Sequence, residues 1–168
     1  MKKLFFIWVV LPLSGCNQVP HGIVKYDDEK SKAIVKVFES VAKEDNRYLE
    51  TIFSKDMFMV NSSRDTIYYK EFISGIENMY ELFDNISFDT PDGDAIGSEV
   101  ETNYYDNGMV WTQIWSVFYA KGNYTGASVS FPFHIAYKWD DDKIIEEYQF
   151  FNPTVFENEQ NAKDGLAP

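Results

Sequence analysis

Only two histidines occur in this chain, and they are placed very differently. His21 lies near the amino terminus, whereas His134 sits inside FPFHIAYKW (131–139), among large apolar side chains. An imidazole titrates near neutral pH, so His134 is a candidate general base or a polar group that orients a ligand. The next apolar segment, KIIEEYQFF (143–151), supplies a carboxylate, Glu147, and an amide, Gln149. In an extended strand both lie on one face, with Ile145 and Phe151. Glu147 follows the acidic turn at 140–142 closely, which predicts the wet end of its strand. Burial would instead raise its pKa and make it a proton acceptor. His134 is expected to face the same interior, together with Pro132 and Ala136.

Other side chains could join a pocket. Asn61 ends the segment MFMVNS and could turn its amide inward or form a turn. Trp111, Gln113, Trp115, Val117 and Tyr119 share one face of a predicted strand; such a row can line a ligand site, fill a core or pair two copies. DTPDGD (89–94) is acidic, but its oxygen spacing does not match a calcium loop and no closing Glu follows. His, Asp and Glu never gather at first-row metal spacing, so no metal or other cofactor is expected. Neither a Gly-rich phosphate loop nor a Gly-x-Ser-x-Gly elbow is present.

These residues need elements to position them. Apolar residues at helical spacing run from Asp28 to Lys55, interrupted by the polar KEDNR (43–47), which predicts a long helix, a break and a short second helix. MFMVNS (57–62) reads as a strand, 66–68 as a short extended piece, and 70–83 as a third helix striped by Phe72, Ile73, Ile76, Met79, Tyr80 and Phe83. From residue 86 onward the reading is strands: 86–90, 97–105, a DNG turn, 109–120, 128–139 and 143–151. Helices followed by an antiparallel meander define an α+β class, with three N-terminal helices packed on one face of a strongly curved, mainly antiparallel sheet.

The amino terminus reads differently. Lys2 and Lys3 precede a short apolar run, Leu4 to Leu13, and then LSGC (13–16). That order resembles the signal peptide and lipobox of bacterial lipoproteins. The resemblance implies cleavage after Gly15, a diacylglycerol on Cys16, and attachment of the exported chain to a membrane of the cell envelope. Asn17 follows the cysteine where an aspartate would favour inner-membrane retention, so the outer membrane is expected. Cys16 is the sole cysteine, which excludes an internal disulfide. The expected organisation is a signal peptide at 1–15, a lipidated cysteine and tether at 16–27, one domain at 28–160 and a tail at 161–168. The formal charge is −12, and losing Lys2 and Lys3 takes it to about −14, which excludes nucleic acid as a partner. An aromatic content of 17% excludes a disordered acidic chain.

The closing stretch FHIAYKWDDDKIIEEYQFFNP resembles the last two strands of SnoaL-like domains of the NTF2-like superfamily, and KEDNRYLETIFSKDMFMVN resembles their junction between the early helices and the first strand. That resemblance implies a cone-shaped fold. In SnoaL-like cyclases a histidine on the penultimate strand and an aspartate on the last meet inside the cone, the aspartate acting as general base. His134 falls at the histidine's place, but Gln149 stands where the aspartate would. An amide accepts no proton near neutral pH, so the cyclase mechanism loses its base. The favoured expectation is therefore a cone that binds a small apolar or amphipathic molecule without turning it over. The alternative is an isomerase, dehydratase or cyclase using His134 or Glu147. A third reading is a module that pairs through its sheet as a homodimer.

Overall fold

The structure is a computed structural model that describes residues 21–89 and 99–166. Cys16 with its lipobox and all but the first residue of DTPDGD lie outside the described residues. No described helix is long and apolar enough to cross a membrane.

The chain opens with β1 (Gly22–Lys25), followed by helices α1 (Glu29–Ala42) and α2 (Arg47–Ile52). The side chain of Asp28 caps α1 by accepting from the Ser31 amide at 2.8 Å. Ile34, Val37 and Val41 form its buried stripe, and at the polar break Glu44 takes φ 54°. Strand β2 (Phe53–Val60) begins directly at the end of α2, earlier than the expected 57–62. Then come β3 (Thr66–Tyr68), α3 (Tyr69–Leu82), β4 (Phe83–Phe88), β5 (Glu99–Tyr105), β6 (Val110–Gly122), β7 (Ser128–Asp140), β8 (Lys143–Phe150) and α4 (Thr154–Lys163).

The sheet has the order β1-β5-β6-β7-β8-β2-β3. β4 pairs with the far half of β6, beyond the part that β5 occupies. Every pairing is antiparallel except β2 with β8. The DNG turn joins β5 to β6 with Gly108 at φ 85°, a conformation that favours glycine. β6 and β7, each of 13 residues, form the spine of the sheet. Their inward side chains are Thr112, Ile114, Ser116 and Phe118 on β6, and Phe133, Ile135, Tyr137 and Trp139 on β7, all buried. Phe131 joins them and stacks on Phe118 at 5.0 Å. Helices α1 and α3 cover that face, giving the α+β cone that was expected.

Two boundaries differ from the sequence expectation. Residues 22–25, expected in the tether, form β1 and pair with β5 from Gly22↔Tyr105 to Lys25↔Thr102. The exposed Ile23 and Val24 extend the sheet through this backbone pairing and not through burial of their side chains. Residues 161–163, expected in the tail, continue α4. That helix is held by Glu159, which is only 2% exposed. Its carboxylate accepts from the Thr125 hydroxyl at 2.6 Å and from the Tyr124 and Thr125 amides. Burial pushes its pKa up, but these three donors outweigh that and hold it below the ordinary value. Gly122 is required beneath it, since a Cβ there would lie 2.2 Å from the Glu159 carboxylate.

At the other end of α1 a chain of buried hydroxyls joins four elements. The Trp139 indole donates to Thr112 Oγ1 at 2.8 Å, Thr112 bonds Thr102 at 2.8 Å, and Thr102 bonds Ser31 at 2.9 Å. Since the Lys25 carbonyl can only accept, the Ser31 hydroxyl donates to it at 3.5 Å, and the hydroxyl protons then run from Thr112 through Thr102 to Ser31.

Candidate functional site

Between the helices and the inner sheet face lies a cavity of about 320 Å³. Roughly 150 Å³ of apolar space already holds a benzene ring, so this volume admits a larger molecule. Its walls are apolar and rich in rings: Phe53 from β2, Phe72 from α3, Phe131, Phe133 and Tyr137 from β7, and Phe151 beyond β8. The exposed side chains Ser63 and Glu71, with Gly75, mark the mouth between the β2–β3 turn and α3. The Phe151 amide donates to Ser62 Oγ at 3.3 Å and ties that turn to the end of β8.

The polar part of the wall comes from β8. The register Ile135↔Gln149 and Tyr137↔Glu147 places both candidate residues inside the cone. Gln149 Nε2 donates to Glu147 Oε1 at 2.7 Å, while no described residue donates to Glu147 Oε2, which is buried. Glu147 is 2% exposed, so it does not stand at the wet end of its strand as expected. The strand is followed by a further turn and by α4, and β2 covers its flank. Burial pushes the Glu147 carboxyl up to about 7, with the Gln149 hydrogen bond pulling weakly the other way. Burial, and then the charge of Glu147, hold the Tyr137 phenol well above its ordinary value.

His134 is not in this site, contrary to the expectation that it faces the interior. It pairs with Phe150 across β7–β8 and lies on the outer face of the sheet. There its ring is stacked between Trp115 at 4.6 Å and Phe150 at 5.6 Å. Burial holds its imidazole below the ordinary value. Trp111, Gln113, Trp115 and Tyr119 also fall on the outer face, alternating with the buried Thr112, Ile114, Ser116 and Phe118. Trp111 packs against Tyr148 at 5.8 Å, and the Tyr119 hydroxyl donates to Asp89 at 3.2 Å. The aromatic row is real, but it does not line the cavity.

Asn61 and Phe151 do line it. The Asn61 carbonyl oxygen is occupied by the turn it initiates, accepting from the Ser63 amide at 3.0 Å and the Asp65 amide at 2.9 Å. The structure thus brings together Asn61, Glu147, Gln149 and Phe151, and separates them from His134. Tyr137 and Glu71 line the cavity as well, without belonging to the site residues expected from the sequence. Tyr137 was recoverable from its alternation with Lys138, a residue that belongs outside. Among the described residues no group of three His, Cys, Asp or Glu side chains is gathered to hold a metal.

No protein-family model matches this chain, and no curated protein is significantly similar to it in sequence. Solved structures are similar in fold. A provisionally assigned SnoaL-like polyketide cyclase from Jannaschia sp. CCS1 is 11% identical with a TM-score of 0.58, over 86% of this chain and 96% of that one. A protein of ketosteroid isomerase-like fold from Catenulispora acidiphila, solved with trimethylamine, is 11% identical with a TM-score of 0.56, over 81% and 94% of the two chains. PrhC from Penicillium brasilianum is 13% identical with a TM-score of 0.58, over 82% and 89%. At such identities the likeness is one of fold, and the fold is the NTF2-like cone.

Proposed function

We propose that this protein is a lipoprotein, anchored through Cys16 to the cell envelope and most simply to the outer membrane, whose cone binds a small, largely apolar molecule. The observation that carries the binding reading is the ring-lined cavity of about 320 Å³ with the Glu147–Gln149 pair as its polar wall. The polar contact is reassigned from His134 to Glu147. Nothing in this reading needs turnover. Its test is the neutral dye N-phenyl-1-naphthylamine, whose fluorescence rises in apolar surroundings. The protein is expected to bind it saturably, and Ile76→Trp, which fills the cavity from α3, to weaken binding about tenfold while overpacking costs ~1–3 kcal/mol of stability. No saturable signal from the folded wild type would end the binding reading.

A second reading, of an acid–base enzyme of the isomerase, dehydratase or cyclase kind, is favoured by the carboxyl of Glu147, which titrates at about 7 and has one oxygen free. Its form changes from the sequence expectation, because His134 cannot reach the cavity and Glu147 is the proton acceptor that remains. It predicts that the protein speeds deuterium exchange at the α-carbon of a small cyclic ketone and that Glu147→Gln abolishes the effect, as followed by NMR. A homodimer belongs to the proposal through the outer face, where Phe150 is 58% exposed beside the stacked His134.

A further inference from the structure

The cavity is more selective than its apolar walls suggest. Among the described residues lining it, the two with charge-bearing side chains are both acids, Glu147 on the inner wall and Glu71 at the mouth; none is Lys, Arg or His. A ligand carboxylate or phosphate entering there would meet like charge in a low-dielectric setting with no counter-ion to receive it. Glu147 Oε2 is buried and lacks a donor, and a buried carboxylate oxygen left without one is costly. The amide of Gln149 is fixed with its NH₂ on Glu147, which turns its carbonyl oxygen, a second acceptor, away from that carboxylate. The rings of Phe131, Phe133, Tyr137 and Phe151 line the same cavity and offer apolar contact to the uncharged part of a ligand.

We propose that the ligand of this cone is a hydrophobic ammonium compound, an amine or quaternary ammonium bearing an apolar group of at least benzene size, with its cationic nitrogen against Glu147. This deepens the small-molecule reading and rests on it. Tertiary and quaternary ammonium ions suit such a site because their alkyl groups reduce the hydration lost on entry; the tertiary ion also donates its one N–H to Oε2, whereas the quaternary ion compensates the carboxylate by charge alone. Alcohols would satisfy Oε2 but leave the ionised carboxylate uncompensated. The groups facing Glu147 sharpen the argument: Tyr137 from β7 is neutral at physiological pH, Met59 opposite it on β2 carries no charge, and Gln149 is an amide. Glu71 of α3, lining the same cavity, adds to the negative potential.

The test is calorimetric titration of the full chain with four probes: benzyldimethylamine, benzyltrimethylammonium, isobutylbenzene as the uncharged isostere of the amine, and 3-phenylpropionate. At pH 8.5 both cations are expected to bind at least about tenfold more tightly than isobutylbenzene, the gain of one charge-assisted contact, and 3-phenylpropionate not at all. At pH 5.5, with Glu147 protonated, the advantage of the cations is expected to shrink about tenfold. Glu147→Gln is expected to erase the preference while still binding isobutylbenzene, which shows the cavity intact in the variant. If isobutylbenzene equals the amine in the wild type, or 3-phenylpropionate binds best, the cation proposal is overturned and the small-molecule reading stands. If none of the four binds, both fall.

Discussion

Between pH 5 and pH 8 the protein is expected to lose about 3 kcal/mol of stability that a Glu147→Gln variant keeps. In the unfolded chain Glu147 titrates at its ordinary 4.5, whereas in the folded cone burial raises it to about 7. The folded state therefore holds a proton that the unfolded state has released. The Glu147 contribution is full below about pH 4.5 and is lost as pH rises through 7, by roughly 1.4 kcal/mol for each unit of difference. Glu159 works in the opposite sense. Its folded pKa is depressed, so its contribution is present above the unfolded value and is lost as pH falls through the folded one. Urea unfolding of wild type and variant at several pH values separates the two. Parallel profiles across pH 5–8 would mean that Glu147 is not buried as an uncompensated acid.

A comparable loss is expected from Thr112→Val, which keeps the shape of the side chain and removes its hydroxyl. The Trp139 indole would then have no acceptor and Thr102 no donor, both in a place closed to water. An indole N–H left buried without an acceptor costs about 1–3 kcal/mol and the lost Thr112–Thr102 bond about 1 more, since Thr102 keeps its bond to Ser31, so stability should fall by about 3 kcal/mol. For a domain of this size that corresponds to a fall of roughly 6–12 °C in Tm. Thr112→Ser retains the hydroxyl and should cost only about 1 kcal/mol for the missing methyl. Thermal unfolding of both variants decides between hydrogen bonding and packing. If Ser costs as much as Val, the hydroxyl chain contributes nothing.

The elements were legible in the sequence because their signals are local. The stripe Ile34, Val37, Val41 and the break at KEDNR marked the two helices, and the DNG turn marked the β5–β6 hairpin. The face of a strand is a different kind of fact, since shifting an assignment by one residue turns every side chain over. Both faces of β6 and β7 carry large rings, so alternation alone did not say which was inside. His134 was paired with Gln149 by analogy, whereas the register sets it opposite Phe150. Charge held the missing signal. The series containing His134 also contains Lys138, which reaches the Glu146 carboxylate at 2.5 Å on the outside, and the intervening series is apolar from Phe131 to Trp139. On β8, by contrast, Glu147 and Gln149 stayed together in either assignment because they are two residues apart. Their burial was not legible, because it comes from β2 and the helices, which are remote in sequence.

The parallel seam between β2 and β8 bears on the order in which this domain can form. Phe58 lies beside Glu146 and Met59 beside Glu147, partners roughly ninety residues apart in the chain. Closing so long a loop precedes any reward from the contacts it brings, so this seam is a slow step, whereas the hairpins β5–β6, β6–β7 and β7–β8 close from neighbouring segments. While the chain is being made, β2 can pair with β3 but has no β8 beside it until nearly the whole domain has emerged. The cone is then sealed by the strand that carries Glu147. The acid reaches its dry surroundings only in that last event, so its proton uptake on folding reports when the seam closes.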